Sequence, residues 1–587
     1  MPPEPAGAGR AWALATLIPY LRQYRARIAT GVAMVLMTNV AVVITPQVLG
    51  WAVDDLTEGA DSGLLLRYAG LLLALSCAEG LFRYLMRWIL IGVSRRIEFD
   101  LRNDLFRHLQ RLTPSFYQRH STGDVMARST NDLGAVRMVL GPGIMYSVNT
   151  LFMVLLTVTI LIRTDAGLAL LTLGPLLLVS YCVKFFGRKI HQRFEKIQEQ
   201  FSMLTTLVQE NVSGIRVVKA YNQESAFVRR FRDANREYMK RSMALVKIWG
   251  IFYPLLAFLL GLSAVFLLWH GGRQVMDGAL SLGALLSLIF YLARLTWPTI
   301  ALGWVINTFE RGSASMGRIN RILATQPDVL DDGGLPAEAI EGRVEVKNLT
   351  FSYNGAPVLK NLDFELPAGD TLAIVGSTGS GKSTLVHLLC RLYPVPRGRI
   401  LIDGRDVNDI SLTHLRRSIG CVPQDTFLFS ESIRDNLTFG ATEASDQAIR
   451  EAARTSNILG EIQRFPDRMA TFVGERGLTL SGGQKQRMTI ARALLTDPKI
   501  LVLDDSLSSV DTYTEEEILK RLAPVISGRT TILISHRIST VKGADQILVL
   551  DRGRIVQKGR HSELLRTAGP YAEMHRKQLL EQELGIA

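Results

Sequence analysis

Six apolar segments, each long enough to cross a bilayer, occupy the first half of the chain. A membrane-spanning helix needs about 20 mostly apolar residues, and the second half of the chain is far less apolar. The pattern therefore predicts a helical membrane domain followed by a soluble domain. The segments are approximately 28–52, 68–94, 138–163, 167–187, 247–271 and 279–308.

Within the first half of the chain, the basic residues lie mainly between these segments. The 587-residue chain has a net charge of +13, which is also compatible with nucleic-acid binding. However, regions 95–137 and 188–246 are rich in arginine and lysine, whereas 52–67 is acidic. Because positively charged loops remain in the cytoplasm, the pattern predicts a multi-pass protein of the inner (plasma) membrane with both termini cytoplasmic. Membrane lipid is then the expected surrounding, and no nucleic-acid partner is expected.

Charged residues also occur inside two apolar segments. Glu79, Arg83 and Arg87 recur at four-residue intervals, which places them along one side of a helix, and Arg294 lies in the sixth segment. A charge at mid-bilayer costs about 3 kcal/mol, so we expect these side chains to face protein or water. Two interpretations stay open: contacts to a polar or anionic substrate in a central cavity, and a structural ion pair between Glu79 and Arg83.

The chain divides into four predicted parts. Residues 1–27 form a lead-in helix that either lies in the membrane interface or is simply amphipathic. Residues 28–311 form the membrane domain of six helices, with two long cytoplasmic loops, and 312–342 form a polar linker. Residues 343–587 form the soluble domain, where strand-like alternation begins.

The stretch LAIVGSTGSGKST is an apolar strand followed by a phosphate-binding loop. Its glycines let backbone N–H groups surround phosphate oxygens, and the following helix directs its positive end at them. Lys382 neutralises terminal phosphates and Ser383 reaches Mg²⁺. The pattern predicts ATP as ligand. The residues assigned to the loop are Gly376, Ser377, Thr378, Gly379, Ser380, Gly381, Lys382, Ser383 and Thr384.

A second apolar strand, KILVLDDS, ends in two aspartates. In a P-loop fold, the aspartate that ends the neighbouring strand holds the Mg²⁺ shell, and Asp504 takes that place here. The alternative is a buried strand that simply ends in an acidic turn. Asp505 stands where a nucleotide hydrolase is expected to have a glutamate that positions water.

Between these motifs lies LSGGQ, residues 480–484. With it, nearly the whole chain resembles a half-transporter of the ABC exporter family, in which six spans precede one α/β P-loop nucleotide-binding domain. The resemblance implies an adenine-stacking role for Tyr353, a Mg²⁺-linked and water-linked role for Gln424, and a γ-phosphate switch role for His536. It also implies nucleotide contacts across a dimer by Ser481, Gly482, Gly483, Gln484 and Asp511.

The same resemblance implies a functional consequence of the aspartate at position 505. In this family two nucleotide domains meet head to tail, and each ATP lies between the phosphate loop of one and the signature of the other. Asp505 is one methylene shorter than the usual catalytic glutamate, which withdraws the carboxylate by roughly 1 Å. The chain therefore resembles the Asp-bearing subunit of heterodimeric bacterial multidrug exporters, with a Glu-bearing partner. A homodimer with two slow sites and an ATP-gated channel or regulator remain alternatives.

The substrate is not specified by these motifs. Apolar spans with scattered charges suit hydrophobic or amphipathic drugs, lipids and peptides equally.

Overall fold

A computed structural model of the protein describes residues 10–59, 61–331, 339–353, 355–474, 477 and 479–583. The chain forms two compact units. The first consists of Met1–Arg111 and His120–Thr325, and the second consists of Leu112–Arg119 and Gln326–Ala587. The short segment at 112–119 thus belongs to the second unit although it lies between long helices in the sequence.

The first unit is helical. Asp165 and Ser281 each cap the helix that follows, accepting hydrogen bonds from the backbone N–H of Leu168 at 2.6 Å and of Ala284 at 3.0 Å. Its helices are α1 (Arg10–Ala15), α2 (Ile18–Gln23), α3 (Arg25–Thr57), α4 (Ser62–Arg111), α6 (Thr122–Thr164), α7 (Ala166–Ser213), α8 (Ile215–Ala220), α9 (Glu224–Met276) and α10 (Leu282–Leu323), with α5 (Pro114–Arg119) in the second unit.

Six of these helices are long, and four of them contain apolar stretches sufficient to cross a membrane: α3, α4, α6 and α9. In the other two, the described apolar stretches are shorter, Ala166–Pro175 in α7 and Leu282–Leu295 in α10. The helical membrane domain expected from the sequence is therefore present. Among the described residues, four of the six expected spans are apolar over a length sufficient to cross a membrane.

The lead-in residues form two short helices rather than one. Tyr20 donates a hydrogen bond to Asp104 at 2.6 Å, and Tyr24 donates one to Asp100 at 2.8 Å. Both aspartates lie on α4, so these bonds fix the lead-in against that helix. Residues 1–9 of the predicted lead-in lie outside the described residues.

Helix α10 continues through residue 323, so 312–323, which the sequence suggested as linker, are helical. Gly312 allows close approach there, since a Cβ atom at this position would lie 2.1 Å from Cγ2 of Val139. Arg318 donates to Asp132 at 2.8 Å. The polar residues that suggested a linker thus stabilise a helix that packs against α6.

Helices α3 and α10 approach each other closely near one end. A Cβ atom on Gly283 would lie 1.9 Å from the carbonyl oxygen of Gly50. Asp54 strengthens the contact by accepting hydrogen bonds from the Ser281 hydroxyl and the Gly283 N–H, both at 2.7 Å. This small-residue contact lets two backbones meet directly.

Replacing Gly283 by alanine is expected to destabilise the first unit by about 1–3 kcal/mol, because the methyl group would overlap backbone that cannot move aside. Thermal unfolding in detergent micelles measures the effect. Gly80→Ala is the control, since nothing lies within 4 Å of a Cβ there. Equal unfolding temperatures for the two variants would contradict the close packing of α3 and α10.

The second unit contains two sheets. The four-stranded antiparallel sheet has the order β2-β1-β4-β5, and the six-stranded sheet has the order β10-β9-β3-β8-β7-β6, parallel except for the pairing of β10 with β9. The strands are β1 (Val344–Tyr353), β2 (Ala356–Leu366), β3 (Thr371–Gly376), β4 (Ile400–Ile402), β5 (Arg405–Asp406), β6 (Ile419–Val422), β7 (Ile500–Asp504), β8 (Thr530–Ile534), β9 (Gln546–Asp551) and β10 (Arg554–Gly559).

Strands β3, β7 and β8 are buried along their whole lengths, as expected of parallel strands covered on both faces. Leu349 of β1 and Val502 of β7 belong to one apolar core that joins the two sheets. The helices of this unit, besides α5, are α11 (Lys382–Leu389), α12 (Leu412–Ser418), α13 (Ile433–Leu437), α14 (Asp446–Thr455), α15 (Leu459–Ile462), α16 (Gly482–Leu495), α17 (Thr512–Ile526), α18 (Ile538–Val541), α19 (His561–Arg566) and α20 (Pro570–Glu583).

Candidate nucleotide site

The phosphate-binding loop joins the end of β3 to the start of α11. Gly376 and Gly381 have φ values of 153° and 103°, in the region that favours glycine. A Cβ atom at Gly376 would lie 2.1 Å from the carbonyl oxygen of Leu550, and one at Gly381 would lie 2.6 Å from Cδ2 of Leu359. A side chain would not fit at either position, which explains why the sequence has glycine at both.

Lys382 is held inside this loop. Its Nζ atom donates to the carbonyl oxygens of Gly376 and Ser377, both at 2.9 Å. Burial lowers the pKa of Lys382, and the nearby carboxylates of Asp504 and Asp505 oppose that shift. The Ser380 hydroxyl is buried without a hydrogen-bond partner in the part of the chain that the structure describes. A lysine and an unpaired hydroxyl at a glycine-rich turn suit phosphate oxygens.

A cavity of about 230 Å³ opens beside the loop. It brings together groups that are widely separated in the sequence: the loop, the end of β7, Gln424 and His536. Tyr353 and the signature residues are not among its lining residues. The predicted site residues that line it are Thr378, Gly379, Gly381, Lys382, Ser383, Thr384, Gln424, Asp504, Asp505 and His536.

The two aspartates differ in environment. Asp504 ends β7 and is 3% exposed. Burial raises its pKa, while a hydrogen bond from Ser383 acts in the opposite direction. Asp505 follows in the left-handed region at φ 47°, which aspartate tolerates better than most residues, and its N–H donates to Ile534 at 2.9 Å.

The residues present fit a magnesium ion. A buried carboxylate, a hydroxyl and an amide side chain, from Asp504, Ser383 and Gln424, line the same cavity. Oxygen donors of this kind are the ligands that Mg²⁺ prefers, and the ion would offset the cost of burying the Asp504 charge.

Tyr353 lies in an aromatic cluster on the antiparallel sheet. Its ring meets those of Phe351 and Tyr393 edge to face, with centroids 4.9 Å and 5.1 Å apart. Gln118 of α5 donates to the Tyr393 hydroxyl at 2.7 Å. Helix α5 is thus connected to the predicted adenine-stacking residue through one intervening ring.

The signature residues begin helix α16. Ser481 caps it, accepting from the Gln484 N–H at 3.3 Å, while the Gln484 side chain accepts from the Ser481 N–H at 2.9 Å. Gln484 also donates to Glu461 at 2.7 Å. This reciprocal cap fixes the shape of the signature within the single chain.

Three further residues hold the motifs in place and were not predicted. Gln486 donates to the Ser508 hydroxyl at 3.0 Å and accepts from the Ser509 N–H at 2.9 Å, which ties the signature helix to the 508–511 loop. Glu515, 3% exposed by side chain, pairs with Arg537 beside the switch histidine.

Gln578, on the last helix, is the third. It donates to the His536 carbonyl oxygen and accepts from the Ile538 N–H at 2.9 Å. Asp511, predicted as a nucleotide contact, caps α17 through the Thr514 N–H at 2.9 Å, and this bond lowers its pKa. For Gln486, the sequence offered one signal of its supporting role: it is a polar residue next to the signature motif.

Strand β8 lies between β3 and β7, so Asp504 ends the next strand but one and not the neighbouring strand expected from the sequence. A phosphate loop, this buried carboxylate at the end of β7 and a polytopic helical unit define an ATPase fused to a membrane domain. Residues 28–299 match the family described as ABC transporter transmembrane region, and residues 359–508 match that described as ABC transporter.

Relatives align along nearly the whole chain. A probable multidrug resistance ABC transporter ATP-binding/permease protein, YheI of Bacillus subtilis, is 38% identical over 97% of this chain and 98% of its own length. The multidrug resistance-like protein MdlA of Escherichia coli is 37% identical over 97% of both chains. An ATP-dependent lipid A-core flippase of Syntrophus aciditrophicus is 35% identical over 94% of this chain and 92% of its own.

The structure of a bacterial Atm1-family ABC exporter with ATP bound superposes with a TM-score of 0.79 at 31% identity, covering 94% of this chain and 99% of that one. The chain belongs to the ABC exporter family. It is a multi-pass membrane ATPase in which ATP hydrolysis is coupled to transport.

Proposed function

We propose that this chain is one half of a heterodimeric exporter of hydrophobic or amphipathic substrates, and that it supplies a slow ATP site together with an intact signature for its partner's fast site. The observation that carries the proposal is Asp505. It lines the nucleotide cavity beside Asp504 and Lys382, at the position where a catalytic glutamate is expected. The phosphate-binding loop itself, residues 376–384, keeps the complete nucleotide-binding pattern.

In the proposed arrangement, Lys382 and the loop amides hold the phosphates of ATP, and Tyr353 stacks on adenine. Ser383, Asp504 and Gln424 hold Mg²⁺, which would neutralise charge on the phosphates. His536 contacts the γ-phosphate, and Asp505 holds water too far away for rapid attack. Ser481, Gly482, Gly483, Gln484 and Asp511 contact ATP bound on the partner.

The membrane part of the proposal follows the sequence. It comprises six spans within residues 28–311 and a nucleotide domain from 343 to 587, with both termini in the cytoplasm and the chain in the inner membrane. The arginine-rich and lysine-rich regions 95–137 and 188–246 support this orientation. The relatives, which include multidrug resistance proteins and a lipid flippase, support substrates that range from drugs to lipids.

Purifying the chain alone tests the asymmetric assembly. We expect ATP binding with very low hydrolysis, and strong hydrolysis only when a Glu-bearing half-transporter is co-expressed. Robust ATPase activity from a two-fold symmetric dimer of this chain would overturn the heterodimer. Downhill substrate flux that continues while hydrolysis is blocked would instead indicate an ATP-gated channel.

A further inference from the structure

A second cavity lies within the first unit, among helices α3, α4, α6 and α10. Its volume is about 360 Å³. The lining residues fall near the middle of the apolar segments predicted to span the membrane. Three arginines reach it, Arg83 and Arg87 from α4 and Arg294 from α10, and no carboxylate is among the described residues that line it.

One of these arginines is neutralised. Arg83 forms an ion pair with Glu79 one helical turn away, so the structural pair considered from the sequence is present. Within the described part of the chain, Arg87 and Arg294 have no carboxylate within ion-pair distance. Three cations and one carboxylate leave two positive charges uncompensated at the cavity.

Such charges are costly in a membrane unless they face water or a ligand. Ionisable residues within the membrane therefore mark substrate pathways. A guanidinium presents a planar fork of donors that matches a carboxylate or phosphate group. The same two charges repel a cationic ligand.

The rest of the lining adds further donors and apolar surface. The Asn39 side-chain amide donates to the side-chain oxygen of Asn149 at 3.3 Å, and the Asn149 side-chain N–H groups have no hydrogen-bond partner among the described residues. Met86, Met153 and Trp297 contribute apolar surface. The cavity therefore combines positive charge with room for an apolar body.

We propose that this cavity binds anionic amphiphiles, molecules with a carboxylate or phosphate headgroup on an apolar body, and that Arg87 and Arg294 contact the headgroup. The inference rests on the proposed export function and narrows its substrate class. The headgroup can belong to a membrane lipid or to a free amphiphile, because both present the same anion.

The test compares two probes that share one apolar tail. Radiolabelled dodecyl phosphate and dodecyltrimethylammonium are titrated against the full chain in phosphatidylcholine nanodiscs. We expect the anionic probe to bind at least about 10-fold more tightly, and Arg294→Gln or Arg87→Gln to remove most of that difference, since each loses a charge-assisted hydrogen bond. Arg163→Gln, which removes an arginine that does not line the cavity, is the control.

The comparison of the two probes on the unmodified chain tests the inference even if one arginine variant fails to fold. Equal affinities for the two probes, or unchanged binding in both arginine variants, would overturn the inference. Loss of dodecyl phosphate binding in discs that contain phosphatidylglycerol identifies an anionic lipid as the occupant, while retained binding identifies a free amphiphile. ATP binding measured on the same discs separates this result from a failure of the proposed nucleotide function.

Discussion

Replacing Asp505 by glutamate is expected to raise ATP turnover at the site built on this chain's phosphate loop by up to about 100-fold. The added methylene returns the carboxylate by roughly the 1 Å whose loss can cost that factor. The remaining groups of the cavity, including Lys382 and Asp504, are already in place. The rate is measured in single-turnover reactions of the assembled transporter.

The backbone conformation at residue 505 is expected to make the glutamate variant slightly less stable. Asp505 has a φ of 47°, and glutamate is less favourable there than aspartate by about 1 kcal/mol. We therefore expect slightly lower unfolding temperature together with faster hydrolysis. Asp505→Asn is the matched control, because asparagine tolerates the same backbone but cannot act as a base. A glutamate variant no faster than the unmodified chain would place the defect elsewhere, for example in the partner's signature.

The second large effect concerns which site each motif serves. Lys382→Ala is expected to weaken ATP binding at the slow site by about 10-fold to 100-fold, because a charged donor to the phosphates is lost. Hydrolysis at the partner's site should change much less. Lys499→Ala, an exposed lysine in the same unit, controls for loss of charge. Titration of a fluorescent ATP analogue on each subunit measures both sites.

Ser481→Ala is expected to act at the other ATP site, the one built on the partner's phosphate loop. It should impair hydrolysis on the partner's phosphate loop and leave ATP affinity at Lys382 nearly unchanged. Loss of the helix cap costs about 1 kcal/mol by itself, so Ser481→Thr, which keeps a capping hydroxyl, separates the structural effect from the nucleotide contact. Equal effects of Lys382→Ala and Ser481→Ala on both sites would contradict the head-to-tail arrangement.

The phosphate loop and β7 were predictable because their chemistry is local. A strand, the three glycines of the loop and a lysine are adjacent in sequence, and each motif carries its own backbone requirement. The assembly of Gln424, Asp505 and His536 around one cavity followed only from the family resemblance, since those residues are far apart along the chain.

Other features could not be predicted because they depend on packing between distant segments. Gln578 supports His536 from a helix more than 40 residues later. The helical state of residues 312–323 depends on contacts with α6 that composition does not reveal, such as the Arg318 pair with Asp132. The sequence placed Arg87 and Arg294 in separate segments, and only folding brings them to one cavity.

The most direct test of the asymmetric assembly is the nucleotide retained by each subunit during turnover. The assembled transporter is incubated with a photoreactive ATP analogue labelled on its α-phosphate, crosslinked by light, and the nucleotide on each chain is identified. We expect triphosphate on this chain, held at the site that contains Asp505, and diphosphate on the partner. Diphosphate in equal amounts on both chains would contradict the proposal that Asp505 makes this site slow.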